Sequence, residues 1–181
     1  MQDIIKSLRA GISIGNTLDA FDKSIKISDA PDKTETSWGN PVITQELVDA
    51  YIEAGLNVIR IPVTWTGHFG DAPDYTIEEA WLKRVKEVVD YAYKRGAYAI
   101  LNLHHEDWNY PYYENEERAC IIMTALWSQL AAEFAAYDEH LIFEGQNEPR
   151  KVGTPLEWNG GDEEGWAVVN STNAAFVNTV R

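Results

Sequence analysis

Cysteine is almost absent from this chain. Cys120 stands alone, so no intrachain disulfide can form, and its place in a helical pattern makes core filling its expected role. Basic residues are scarce as well: 15 lysines and arginines face 29 aspartates and glutamates, for a net charge of −14, with the acidic residues spread along the chain. Such a field repels phosphate backbones and anionic lipid, which argues against nucleic acid and membrane surfaces as partners and favours neutral ones. No apolar run reaches the roughly 20 residues of a membrane span. The amino terminus has neither a basic n-region nor a long apolar stretch, so export would need a leader lying outside this sequence. Gly-x-Ser-x-Gly, P-loop, Gly-x-Gly-x-x-Gly and Cys-x-x-Cys motifs are missing too, which removes the esterase-elbow, nucleotide and thiol-redox readings.

What is present is enough for one globular domain over residues 1–181, since 45% of the residues are hydrophobic and can fill a sizeable core. Apolar runs at residues 11–16, 58–65, 98–103 and 141–146 read as strands. After each comes a helical pattern: a polar loop and then Leu47, Val48, Tyr51 and Ile52; Trp81, Val85, Val88, Val89 and Ala92; residues 116–137; and residues 162–181. Thr76 and Glu79 have the spacing of a capping box for the second of these. Four βα units imply parallel strands with right-handed crossovers, in a doubly wound sheet or part of a barrel. Strand parity favours the barrel. Ile59, Ile61 and Val63 share one face and Arg60 the other; Ala99, Leu101 and Leu103 oppose Asn102 and His104; Leu141 and Phe143 oppose Glu144, Gln146 and Glu148. One face is thus apolar and the other polar, as in a barrel whose interior carries a site near its carboxyl end.

Glu148 is the first candidate for chemistry. It follows the strand Leu141-Ile142-Phe143 and precedes Pro149, which cannot extend a sheet ladder. A carboxylate at a strand mouth beside Asn147, in a partly desolvated site, suits general acid catalysis; the bland reading is a loop-capping carboxylate. Arg60, alone in an apolar strand, needs a carboxylate partner, with Glu144 or Glu148 in reach. His104 has the interior parity and His105 joins it only through a strand-end twist. Neighbouring histidines point to opposite faces and no His-x-x-x-His spacing exists, so hydrogen bonding is expected of His104, with no metal or cofactor. Trp38, Trp65, Trp108 and Trp158 follow the four strands and should share one rim, where indole faces suit pyranose rings; Trp81, Trp127 and Trp166 read as core. Asn16, Asn40, His104 and Asn147 could then bond sugar hydroxyls. Loop packing is the bland role for any of these tryptophans.

The strings GISIGNTLDA, WGNP, GLNVIRIPVTW, AILNLHHEDW and FEGQNEPR occur in this order along nearly the whole chain. In them the sequence resembles glycoside hydrolase family 5, the endoglucanase-type cellulases of the (β/α)8 TIM-barrel type. The resemblance implies strands 1–4 and helices 1–4, a half barrel, with Arg60, His104, His105 and Asn147 in the site and Glu148 as acid/base. Asn16, Trp38, Asn40 and Trp108 are expected beside them as substrate-binding residues. It further implies endo-acting hydrolysis of β-1,4-glucan with retention of configuration, by a secreted enzyme. The family's second glutamate, the nucleophile, comes from a seventh strand and is expected outside these four units. A complementary carboxyl-terminal half, or self-association as a dimer, would then close the barrel. A non-catalytic carbohydrate-binding or scaffold module is the competing reading.

Overall fold

The structure is a computed structural model that describes residues 2–25 and 30–181. Its elements in chain order are α1 (Gln2–Ser7), β1 (Gly11–Ser13), α2 (Pro31–Glu35), α3 (Gln45–Glu53), β2 (Val58–Ile61), α4 (Glu79–Tyr93), β3 (Tyr98–Asn102), α5 (Tyr113–Glu133), β4 (Leu141–Glu144) and α6 (Glu163–Val180). The four strands form one parallel sheet in the order β1-β2-β3-β4. The fold is α/β, and the sheet has the βα succession of half a (β/α)8 barrel.

Register decides what the interior face displays. Ser13 pairs with Arg60 and Asn102 with Glu144, while Ile59 pairs with Ala99 and Leu101 with Phe143. Side chains alternate across a strand, so the polar members fall on one face and the aliphatic members on the other. On the aliphatic face, Ile59, Ile61, Leu101 and Leu103 are fully buried against Val85, Val88, Val89, Leu126 and Trp127. Each such side chain stabilises the fold by roughly 1.5–3 kcal/mol relative to exposure. The parity expected from the sequence holds within β2, β3 and β4, but past the end of β4 Gln146 departs from it, its amide donating to Thr172 Oγ1 and Asn173 Oδ1 of α6.

The strand mouths stay tied together beyond the regular ladder. Ile14 N donates to Arg60 O, Thr64 N to Leu18 O, His104 N to Val63 O and Asn147 N to Leu103 O, at 2.8–3.0 Å. Gly145 permits a close approach at the fourth mouth: a Cβ there would lie 2.7 Å from Phe176 Cδ1, and its carbonyl accepts from Trp127 Nε1.

Several local expectations are corrected. The polar loop after β1 contains α2, whose Glu35 is wholly buried and doubly bonded by Arg84 at 2.9 Å. Helix α4 is not capped by Thr76. Its N-cap is Glu78, without a side-chain bond, because Thr76 lies where the chain is held by the Phe69–Ile77 bridge and the Gly70 N bond to Thr76 O. The third long helix begins at Tyr113 and ends at Glu133, rather than covering 116–137. Cys120 is half-buried rather than sealed in the core.

Candidate active site

The interior face carries a connected polar chain. Arg60 donates to Glu144 through Nε (to Oε2, 2.8 Å) and Nη2 (to Oε1, 2.5 Å), and Nη2 also reaches Asn147 Oδ1 at 2.9 Å. A guanidinium fork is shaped for this bidentate contact. The partner is therefore Glu144 of β4 rather than Glu148. Burial pushes the Glu144 carboxyl up, but bonds from Arg60 and Asn102 outweigh it and hold it below its ordinary value. Asn102, fully buried, donates from Nδ2 to Glu144 Oε1 (2.9 Å) and to His104 Nδ1 (3.0 Å).

His104 and His105 lie together after β3, their rings 4.4 Å apart and nearly perpendicular, each with Nε2 3.8 Å from Asp19 Oδ2. The strand-end twist does bring His105 to its neighbour. Burial, reinforced by His105, lowers His104 to about 4, and burial also lowers His105. Both rings are accordingly neutral at pH 7. Asp19 was not anticipated from sequence: its backbone lies in the loop after β1, and only folding places its buried carboxylate against the histidines. Trp38 is 45% exposed, donates Nε1 to Phe21 O, and its ring is 5.5 Å from that of His105.

Glu148 sits where the sequence placed it, at the mouth of β4, with a positive φ of 39°. A left-handed backbone in a non-glycine residue is strained, and such strain gathers at functional sites. The expected desolvation is not present: the side chain is 58% exposed and its Oε2 meets Arg150 Nη1 at 3.2 Å. Arg150 is itself anchored by Glu157 at 3.0 Å and lies 4.3 Å over the Trp158 ring. A cavity of about 250 Å³ between the mouths of β3 and β4 is lined by His104, His105, Asn147, Glu148 and Arg150, among others.

The tryptophan rim is corrected in part. Trp108 is 2% exposed and gives its Nε1 to Glu106, and Trp65 is fully buried with Nε1 on Asn102 O. Neither can stack on a sugar, since each ring is packed inside and its polar edge is satisfied there. Trp38 and Trp158 remain exposed, and Trp166, expected in the core, is exposed as well. Asn40 uses its amide donor on Gly15 O and Asn16 O, which secures the loop that carries Asn16; Asn16 itself is exposed with φ 60°. Glu106 is a further carboxylate near the mouth, sealed and bonded by Trp65 N, Thr66 N, Thr66 Oγ1 and Trp108 Nε1. Burial raises it to about 7 against those bonds, through which it joins the loops after β2 and β3.

A family model described as cellulase, glycosyl hydrolase family 5, matches residues 18–181. The chain belongs to glycosyl hydrolase family 5. Among its family 5 relatives, Endoglucanase B of Neocallimastix patriciarum is 55% identical over 181 residues, which are 99% of this chain and 38% of that protein. The solved GH5-4 broad specificity endoglucanase from Ruminococcus champanellensis, with bound cellotriose, matches with a TM-score of 0.95 and 47% identity over 98% of this chain and 52% of that one. XEG5A, a xyloglucan-specific endo-beta-1,4-glucanase from a metagenomic library, in complex with cellotriose, gives 0.94 and 48% over 99% and 52%. This family 5 chain therefore spans about half the length of the solved structures it matches.

Proposed function

We propose that this chain forms the acid/base half of a retaining endo-β-1,4-glucanase. The observation that carries the reading is Glu148, strained and available at the mouth of β4, beside a cavity that also receives His104, His105 and Asn147. Its interior neighbours are committed elsewhere: Glu144 to Arg60 and Asn102, and Glu106 to four donors. Cellotriose in the solved relatives supports a β-1,4-glucan chain as the ligand.

In this reading Glu148 protonates the departing glycosidic oxygen and later removes a proton from the attacking water, with a glycosyl-enzyme intermediate between the two steps. The nucleophile comes from a complementary carboxyl-terminal half, which closes the barrel and excludes water around Glu148. A second copy of this chain would close the sheet edges without supplying that glutamate. Because the substrate is a polymer, the enzyme works outside the cell.

The test joins this chain to the carboxyl-terminal half of the Ruminococcus champanellensis endoglucanase. Reducing-end release from carboxymethylcellulose should appear in the joined protein and not in the chain alone, and proton NMR should show the β-anomer first. Saccharide binding by the joined protein without turnover would support the non-catalytic module instead.

A further inference from the structure

Asn102 lies at the carboxyl end of β3 with no exposed surface, and its surroundings leave the amide a single orientation. Its Oδ1 accepts from Val63 N at 3.2 Å, a backbone donor that cannot reverse its role. Its Nδ2 therefore faces Glu144 Oε1 at 2.9 Å and His104 Nδ1 at 3.0 Å. Glu144 gives the same answer independently, because a carboxylate forked by Arg60 can only accept. Both ends of the amide are thus fixed by neighbours that do not titrate at neutral pH.

An N–H pointed at a ring nitrogen requires a lone pair there. In a neutral imidazole the hydrogen then sits on the other nitrogen. We propose that Asn102 is a positioning residue that locks His104 in the Nε2–H tautomer, so that the cleft receives a hydrogen-bond donor beside the Asp19 carboxylate. Burial and the neighbouring His105 keep His104 uncharged, which preserves the distinction between its two nitrogens.

The consequence is a choice between two ligand chemistries. Asp19, His104 and His105 bring one ligand atom each within 4.8 Å of one another, a spacing that first-row metals can exploit after small side-chain shifts. Ligation through Nε2 needs a lone pair on that atom, with Nδ1–H given to a carboxylate or carbonyl. Asn102 offers Nδ1 a donor and so sets the wrong polarity for a metal. A hydroxyl fits instead. The 3.8 Å gap from His104 Nε2 to Asp19 Oδ2 is too long for a direct bond. One sugar oxygen about 2.8 Å from each accepts from the ring and donates to the carboxylate. This deepens the glucanase reading and rests on it only for the identity of the hydroxyl; the tautomer stands apart.

The experiment is a long-range 15N–1H correlation of the histidine rings in the labelled chain at pH 7. His104 should show the Nε2–H pattern, and an Nδ1–H pattern overturns the proposal. Addition of Co2+ should leave the His104 ring signals in place, whereas coordination through His104 Nε2 overturns it. Asn102→Leu removes the amide with little change in volume, and the Nε2–H fraction should fall measurably, since the more distant Asp19 carboxylate is then the neighbour left to favour that tautomer. An unchanged fraction in that variant also overturns the proposal, and a merely structural role for Asn102 would not move it. If the variant fails to fold, the native spectra decide by themselves. A wrong tautomer leaves the hydrolase reading standing, while the right tautomer in a joined barrel without turnover leaves the lock standing.

Discussion

Arg60→Ala should unfasten the interior polar face. The variant loses both bonds to Glu144 and the bond to Asn147, and leaves Glu144 with Asn102 alone on its carboxylate. Two limits bracket the cost. A fully buried pair broken from one side costs about 3–5 kcal/mol, and a solvent-exposed pair is worth about 0–1 kcal/mol. Side-chain exposures of 25% and 32% place this pair between them, so water reaches the stranded carboxylate without fully solvating it. The expected loss is about 2 kcal/mol, a fall in Tm of roughly 4–8 °C for a chain of this length. The sign with pH follows from Glu144, whose folded value is depressed. Its stabilisation is present above the unfolded carboxyl value near 4.5 and disappears as pH falls through the folded value, so the gap between wild type and Arg60→Ala should shrink on acidification. Urea unfolding at pH 7 and pH 3 measures both. A loss under about 0.5 kcal/mol at pH 7, or a gap independent of pH, would refute the pairing argument.

Arg84→Met should cost more, about 3–5 kcal/mol by urea unfolding, because Glu35 is wholly buried and keeps only the Ile43 N bond; replacing Glu35 by leucine in the same chain should recover most of it. Glu148→Gln in a joined barrel should slow hydrolysis of cellulosic oligosaccharides by about 10²–10⁴-fold, and an aryl cellobioside with a good leaving group should suffer less in the glycosylation step; equal losses would sink the acid assignment. His68 is buried against Trp81 and lowered to about 4, so the unfolded chain takes up its proton first and stability should fall as pH drops from about 6.5 towards 4. His68→Gln should flatten that part of a stability-against-pH curve, and an unaltered slope would show that other groups govern it.

The alternation of apolar and polar residues along 58–63 and 98–104 was enough to give the strands, their parity and the barrel-like interior, because period-2 patterning acts locally. A lone arginine in an apolar strand likewise required a carboxylate nearby, and the strings around Glu148 and the histidine pair pointed to the candidate site. The choice of Glu144 over Glu148 needed the register, which puts Asn102 and Glu144 side by side and lets Arg60 span to them. Tryptophan exposure was not legible either. Trp65 and Trp108 follow strands as Trp38 does, yet Glu106 draws together the loops after β2 and β3, bonding Trp65 N and Trp108 Nε1 and burying both rings. Asp19 gave no local signal, and neither did the short helices α1 and α2, which are too brief to show an amphipathic repeat. Local sequence sets which face a side chain takes on its own element; whether water reaches that face, and which buried donor meets which acceptor, depends on chain segments tens of residues away and is decided only when they pack.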